Sequence, residues 1–463
     1  MKIIIIGSGP GGYEAAIRGA QLGAEVTLIE KSILGGTCLN VGCIPTKVMY
    51  KHASLIQEIK TAHEHGLKVS LDSIDFDKMN QIKRETTLHL RHGVKALIEG
   101  NHINYIEGCA QLIDSTTVLV EKDNLTTYIK GDYIILATGS HPITPPISGI
   151  EHTINSSQLL NIDQIPKSLT IVGGGVVGVE FAGIFNALGS QVTLIEAKKN
   201  ILSFLDTDVS KRLANQMKKS GITILTDTMV ESFSKNHDIE INCIKKNKNI
   251  NIKSEVVLMA VGRKANLIQG LDNLKIKYNN AIDVDENYRT SLKNIYAIGD
   301  VNGINMLAHA ASHQGHQVME HIINGVNLEE KSVIPSCIFS FPEVSSVGET
   351  EASLKKAGIE YKSSKFSFQH NGKAMTIKET NGFIKVLSVD NRLVGVQIIG
   401  PHASDLIAEA TLGIQNRLTT FDYINTIHPH PTLSETFLEA IRGLHEMAIH
   451  QTPLKSVNRK QII

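Results

Sequence analysis

One glycine-rich turn, used twice in the same setting, constrains the fold of this chain more than any other feature. The apolar run Ile3 to Ile6 leads into Gly7-Ser8-Gly9-Pro10-Gly11-Gly12, a helical stretch to about Leu22, and a strand-like Glu25 to Ile29 closed by Glu30. Leu169 to Val172 leads into Gly173-Gly174-Gly175-Val176-Val177-Gly178, a helix to about Leu188, and Gln191 to Ile195 closed by Glu196. In both, 23 residues separate the first glycine from the acid. Each is a strand, turn, helix, strand unit of the kind that binds a dinucleotide. Gly7 and Gly173 permit the tight turn, Gly9 and Gly175 let a pyrophosphate approach the backbone, and Gly12 and Gly178 allow close helix packing. The helix start offers N–H groups and a positive dipole end to phosphate. Glu30 and Glu196 stand where an adenosine ribose donates its hydrogen bonds. A single such turn is weak evidence, but two in register make chance a poor explanation and predict two dinucleotide sites.

Both units close alike: Tyr133 to Leu136 runs into Ala137-Thr138-Gly139, and Val256 to Met259 into Ala260-Val261-Gly262-Arg263. The first unit takes 132 residues from first to closing glycine and the second 89, so about 43 extra residues sit in the first, much of them expected between about Lys31 and Gly100. A length of 463 residues leaves room for about three domains. Lys+Arg and Asp+Glu balance at 46 each, without the basic footprint that phosphate-backbone binding needs, so no nucleic-acid partner is expected. Two segments imitate export or membrane signals. The first is ended by Gly7 well short of a secretory apolar region. The second, Leu169 to Gly189, carries Glu180 and a glycine cluster that would break a spanning helix, so no membrane association is expected. Five cysteines (38, 43, 109, 243 and 337) are too few for a secreted disulfide scaffold. A disulfide in a reducing compartment would be catalytic, and a cytoplasmic location is expected.

The extra segment contains Gly35-Gly36-Thr37-Cys38-Leu39-Asn40-Val41-Gly42-Cys43-Ile44-Pro45-Thr46-Lys47. Two unrelated buried cysteines, or half of a metal site, are the plain alternatives. No second close cysteine pair or suitably spaced Cys/His set accompanies this one, so no metal is expected. In an ideal helix, residues five apart have Cα atoms roughly 9 Å apart, beyond the ~7 Å limit for a disulfide. Asn40, Gly42 and Pro45 tolerate or impose a deviation, which makes a redox-active disulfide geometrically reasonable. If the helix resumes after Pro45, Lys47 lies one turn beyond Cys43, where a cation favours a thiolate and polarises a nearby cofactor. Near the C-terminus, His428-Pro429-His430-Pro431-Thr432-Leu433-Ser434-Glu435 allows two metal ligands on an extended strand or two turn residues fixed by prolines. The better reading is acid/base chemistry by an imidazole that Glu435 orients.

With these residues in place, the chain resembles the pyridine nucleotide-disulphide oxidoreductases, and among them most closely the dihydrolipoamide dehydrogenases. The resemblance rests on Cys38 to Lys47, on Tyr296-Ala297-Ile298-Gly299-Asp300 and on His428 to Glu435, in family order and across nearly the whole chain. It implies an α/β fold with two Rossmann-like dinucleotide-binding domains plus a C-terminal α+β interface domain for dimerisation. Residues 1–147 and 267–334 would form the FAD-binding domain, 148–266 the NAD-binding domain and 335–463 the interface domain. FAD would occupy the first turn, with Gly7, Gly9, Gly12, Glu30 and Gly139. NAD would occupy the second, with Gly173, Gly175, Gly178, Glu196 and Gly262. Cys38 would exchange with substrate and Cys43 would lie against the flavin. Lys47 would sit near flavin N5 and pair with Glu180. Asp300 would bind the ribityl chain, and a helix beginning near Met306-Leu307-Ala308 would aim its positive end at the flavin. His430, with Glu435, is the implied base and acts across the subunit interface of a homodimer, while His428 is structural.

The activity so implied is oxidation of protein-bound dihydrolipoamide with reduction of NAD⁺. The implied partners are lipoyl domains of 2-oxo acid dehydrogenase complexes or a glycine-cleavage carrier protein. The nearest rivals in the family are glutathione-type reductases, which usually select NADP through basic residues, and mercuric reductases, which typically carry a C-terminal cysteine pair. No cysteine follows Cys337. The chain departs from the family pattern at Ala265, where many relatives have proline, at Thr46, where serine is commoner, and at the less acidic His309-Ala310-Ala311-Ser312-His313.

Overall fold

Runs of apolar residues without alternation belong to strands buried on both faces, and the first of them, β1 (Lys2–Ile6), lies at the centre of a five-stranded parallel sheet. In this computed structural model, which describes residues 1–327 and 332–451, Ile3 to Ile6 are all buried. On one side β1 pairs with β2 (Glu25–Glu30), and β2 with β3 (Asn104–Glu107). On the other side lie Tyr133–Leu136 and then Ile295–Ala297, so the chain returns to its first sheet after building the second unit. α1 (Pro10–Gln21) crosses from β1 to β2. It meets the helix Ala308–Asn324 through small residues: a Cβ on Gly315 would stand 2.7 Å from the Gly11 carbonyl oxygen.

Between β2 and β3 the extra residues of the first unit form α2 (Gly36–Val41), α3 (Cys43–Thr61) and the long α4 (Phe76–Gly100), whose N-terminus is capped by Asp75 accepting from the Lys78 N–H at 2.9 Å. The second unit repeats the parallel plan in four strands, in the order Thr223–Leu225, Gln191–Ile195, Ser168–Val172, Val256–Met259. Its helix Val176–Leu188 is buried on nearly every side. This explains why its sequence imitates a membrane segment. Among the described residues no helix is long and apolar enough to cross a membrane. Met49, Ala53 and Ile56 of α3 share one core with Phe181, Ala182 and Phe185 of that helix, so the insertion of the first unit is packed onto the second.

The C-terminal part is different in kind. Five antiparallel strands, in the order Ser336–Ile338, Glu343–Gly348, Arg392–Gly400, Phe383–Val389, Lys362–Ser367, carry the helices Ala403–Gln415 and Glu435–Gly443 over a core that includes Phe366, Phe368, Ile398 and Phe437. This bears out the expected architecture of two dinucleotide units plus an α+β part. A charge cluster around one buried lysine fastens the parts together. Lys385, only 2% exposed, reaches Asp206 at 2.8 Å, Glu351 at 3.0 Å and Asp208 at 3.3 Å. Residues 328–331 and 452–463, which fall in the expected FAD-binding and interface segments, lie outside the described residues.

Candidate active site

The two glycine turns share one construction. Gly7 and Gly173 hold φ at +105° and +114°, and a Cβ on either would stand 2.3 Å from a carbonyl oxygen, that of Ala137 or Ala260. A Cβ on Gly12 would stand 1.8 Å from the Gly7 oxygen, and one on Gly178 1.9 Å from the Gly173 oxygen. Gly9 and Gly175 face open space and are the N-caps of their helices, with no side chain capping either. Open glycine beside unclaimed N–H groups at a positive helix end is a cradle for a pyrophosphate, so both turns fit a dinucleotide. The two acids brace their own turns. Glu30 accepts from the Ser8 N–H (2.8 Å), the Ser8 hydroxyl (2.7 Å) and the Ser32 N–H (2.9 Å). Glu196 accepts from the N–H groups of Gly174 and Lys198, both at 2.7 Å. Carboxylate oxygens have further lone pairs for a ribose hydroxyl. The Lys198 amine donates instead to the Ser203 hydroxyl at 3.2 Å.

α2 and α3 are separated by one residue, Gly42, at φ −138° and ψ −111°. A Cβ there would stand 2.9 Å from the Thr37 carbonyl oxygen. The helix resumes at Cys43, before Pro45 and not after it, because first-turn N–H groups have no intrahelical acceptor and a proline costs nothing there. Asn40 and Pro45 are both helical, so the deviation between the cysteines is made at Gly42. Cys38 and Cys43 are free thiols. The hydrogen bond from Cys38 is the main cause holding the Cys43 thiol below its ordinary pKa. Burial opposes it, and Lys47, one turn further along α3, adds to it. Donating that bond, together with burial, pushes Cys38 up. The negative charge therefore belongs on Cys43 and the proton on Cys38. Elsewhere burial pushes the thiols of Cys243 and Cys337 up to about 11. Lys47 Nζ donates to both Glu180 oxygens, at 3.0 and 2.9 Å, and lies 4.3 Å from the centre of the Phe339 ring. Glu180, buried on Val176–Leu188, also accepts from the Phe339 N–H at 2.9 Å.

Asp300 follows Ile295–Ala297 in a single helical turn and accepts from the Ser140 hydroxyl at 2.5 Å. Arg263 donates to the Ser140 hydroxyl and carbonyl, both at 2.7 Å. With Ser140–Pro142 paired antiparallel to Arg263–Ala265, this joins the closing glycines Gly139 and Gly262, which hold φ at +71° and +125°, into one wall. The helix Ala308–Asn324 starts after an extended, uncapped Leu307, with Met306 exposed before it. His309 and His313 reach the Pro335 carbonyl and the Ser332 hydroxyl, each at 2.7 Å, and so fasten the chain entering the C-terminal sheet.

His430 is 78% exposed, with Nδ1 2.9 Å from Glu435. Glu435 also accepts from the Thr432 N–H at 2.8 Å. Burial works to raise the Glu435 pKa, but the Thr432 N–H and His430 outweigh it and hold the carboxyl below its ordinary range. The carboxylate fixes Nδ1, which leaves Nε2 as the outward atom. His428 is only 4% exposed and meets Glu409 at 2.8 Å. Among the described residues, no three His, Cys, Asp or Glu side chains are gathered as metal ligands. The structure brings Cys38, Cys43, Lys47 and Glu180 together, while His430 and Glu435 form a separate pair on the surface. Sequence reasoning missed Ser140, Arg263 and Phe339. The first two follow the closing glycines directly, so the repeat itself signalled them; Phe339 had no signal.

Two nucleotide cradles with a polarised thiol pair between them define a dinucleotide-dependent dithiol–disulfide oxidoreductase. Residues 1–315 match the pyridine nucleotide-disulphide oxidoreductases and residues 334–441 match the dimerisation domain of the same family, and the chain belongs to that family. It is 38% identical over 457 residues to the dihydrolipoyl dehydrogenase of Geobacillus stearothermophilus, with 97% of each chain covered. It is 39% identical over 459 residues to that of Chlamydia pneumoniae, covering 97% of this chain and 98% of the relative. Among solved structures it is similar to LpdA from Mycobacterium tuberculosis, with 25% identity, a TM-score of 0.89, and 96% and 99% of the two chains covered. It is also similar to the HOCl-induced flavoprotein disulfide reductase RclA from Escherichia coli, with 27% identity, a TM-score of 0.84, and 95% and 99% covered.

Proposed function

We propose that this chain oxidises the dihydrolipoyl group of a carrier protein through Cys38, Cys43, Lys47, Glu180, His430 and Glu435. The enzyme is an oxidoreductase that uses FAD and NAD and acts on dihydrolipoamide, as its family and its near full-length relatives have it. The observation that carries the residue roles is the polarised Cys38 and Cys43 pair beside Lys47 and Glu180. Bound FAD and NAD⁺ supply the hydride chemistry. The chain holds the first with Gly7, Gly9, Gly12, Glu30, Gly139, Asp300 and the helix start at Met306 to Ala308, and the second with Gly173, Gly175, Gly178, Glu196 and Gly262.

Steered by Glu435, His430 takes a thiol proton from dihydrolipoamide at Nε2. The substrate thiolate attacks the Cys38 sulfur of the oxidised pair, and Cys43 leaves as a thiolate. The second substrate thiol then gives up its proton as its sulfur displaces Cys38, which closes the lipoamide ring, and the departing Cys38 takes up that proton. Lys47 and the Cys38 S–H hold the charge on Cys43, and Glu180 keeps Lys47 in place. The dimerisation domain marks the chain as a homodimer. The exposure of His430, apart from the cysteines of its own chain, supports a site shared between subunits. Residues 1–147 and 267–334 serve FAD, 148–266 NAD, and 335–463 the interface. A lipoyl domain of a 2-oxo acid dehydrogenase complex or a glycine-cleavage carrier is the partner, in the cytoplasm. Cys38→Ser and Cys43→Ser should each abolish lipoamide-dependent NAD⁺ reduction while keeping bound flavin. Only Cys38→Ser should show long-wavelength thiolate-to-flavin absorption without reductant. Activity retained in either variant defeats the relay.

A further inference from the structure

α2 has little of its own to hold it. With six residues it is too short to sustain itself. Its N-cap, Gly35, sits at φ +94° without a side-chain cap, and Gly42 ends it. Cys38 lies in the middle of this turn, so whatever fixes α2 also fixes the spacing of the two sulfurs. Among the side chains of α2, Asn40 makes the long-range polar contacts. Its Nδ2 donates to the carbonyls of Leu34 and Gly36, both at 2.9 Å. Its Oδ1 accepts from Nε and Nη2 of Arg91, at 3.0 and 2.7 Å. Arg91 is half-buried and belongs to α4, 51 residues further along the chain. Two N–H bonds from one rigid guanidinium fork converge on the amide whose other end ties down the entry to α2, and such charge-assisted bonds reinforce one another.

We infer that Arg91 is a positioning residue for the disulfide–dithiol step: through Asn40 it fixes α2 so that the Cys38 sulfur stays within bonding reach of Cys43. The inference rests on the relay proposed above. In that step dihydrolipoamide and the enzyme disulfide give lipoamide and the enzyme dithiol. The substrate loses two S–H bonds and gains an S–S bond, the enzyme S–S bond breaks, two electrons pass to the Cys38 and Cys43 pair, and of the two protons one goes to Cys38 and the other to His430, with Cys43 left as the thiolate. Forming the enzyme disulfide needs α2 already in place. A loosened α2 adds ordering entropy to closure, lowers the effective concentration of one thiol at the other, and favours the dithiol. Lysine, a point charge without the fork, replaces Arg91 only in part.

The test uses the FAD-loaded dimer. Wild type, Arg91→Met and Arg91→Lys are equilibrated anaerobically with graded mixtures of dihydrolipoamide and lipoamide, without NAD⁺, and the two-electron-reduced fraction is read from the long-wavelength absorption. Arg91→Met should move the midpoint ratio toward the dithiol by about threefold to tenfold, the span of an ordinary hydrogen bond's net contribution. Arg91→Lys should move it less, and melting temperature and flavin content should hold. In an Asn40→Ala background, Arg91→Met should add less than about twofold, because the two residues act as one unit. Unshifted midpoints in both Arg91 variants, or full additivity with Asn40→Ala, overturn the inference while leaving the relay standing. If Arg91→Met does not retain flavin, the Lys variant decides. A wild-type pair that does not exchange with dihydrolipoamide at all overturns the relay and the inference together.

Discussion

Removing the cation at Lys47 should raise the pH at which Cys43 loses its proton, and removing the charge of Glu180 should lower it. Lys47 lies four residues beyond Cys43 on α3, which places the two side chains about 6 Å apart. Its charge favours the thiolate, whereas that of Glu180 disfavours it more weakly. Lys47 is 32% exposed, so the site lies between the bulk-water and interior limits. With an effective dielectric of about 40, a separation of about 6 Å gives ~1.4 kcal/mol, or about one pKa unit. The assay is a pH titration of the long-wavelength absorption in a Cys38→Ser background, where the serine hydroxyl still donates to Cys43 and the second thiol no longer titrates. The folded-state pKa is depressed, so the band is full above it and fades as pH falls through it. Lys47→Met should shift that fading to higher pH by about one unit, and Glu180→Gln by less in the opposite direction. A midpoint unmoved by Lys47→Met, or both variants moving the same way, would refute the electrostatic reasoning.

His430→Gln should cut lipoamide turnover by roughly a hundredfold or more while fold and flavin survive. Mixing it with Cys38→Ser under subunit exchange should restore activity, and steady-state rates before and after exchange check both points. The enzyme should prefer NAD over NADP by at least about tenfold, because Glu196 would repel a 2′-phosphate and the Lys198 amine is turned toward Ser203. Glu196→Ala should narrow that gap in paired kcat/KM measurements. Lys385→Met removes the buried cation among Asp206, Asp208 and Glu351, leaving Asp208 and Glu351 only the more exposed Lys365 and Lys355, and should destabilise the fold by ~3 kcal/mol in denaturant unfolding. Burial opposes the depression of Asp208 and Glu351, but Lys365 and Lys385 for the first and Lys385 for the second still hold them below the ordinary carboxylate range. The wild-type cluster therefore stabilises the fold above the ordinary carboxylate pKa and loses that contribution as pH falls through the depressed values. The variant, with its repulsion relieved by protonation, should gain stability as pH falls into the ordinary carboxylate range, above the window in which the wild type loses it.

What the sequence made legible is what local chemistry forces on a residue type. The glycines of the two turns could be placed because a Cβ at Gly7, Gly12, Gly173 or Gly178 collides with backbone, a constraint that acts within a few residues. Cys38, Cys43 and Lys47 could be placed for the same reason: their spacing along one stretch of chain is already most of their geometry. The resumption of helix at Cys43 was misjudged because proline was weighed as a breaker without regard to its place in the first turn. Arg91 on Asn40, Phe339 on Glu180 and Lys385 among its carboxylates join residues from 34 to 179 positions apart, and nothing in a one-dimensional pattern marks such partners. The bracing of the turns by Glu30 and Glu196 was hidden differently, since the residues were found but their contacts to their own backbone were not.

Glu180 stands five residues beyond Gly175 on the helix that opens the second nucleotide cradle, a rise of about 7.5 Å. The carboxylate that holds Lys47 is thus supplied by the second unit, not by the unit that holds the cysteines. For protein engineering this moves the boundary between interchangeable parts. A grafted second unit with different nucleotide selectivity brings its own residue to that helix position. Anything but an acid there would disarm Lys47 while leaving both glycine turns intact. Chimeras of this fold should be aligned by the register of that one helix, from its glycine cap to its buried acid, and not by the linker where the second unit begins.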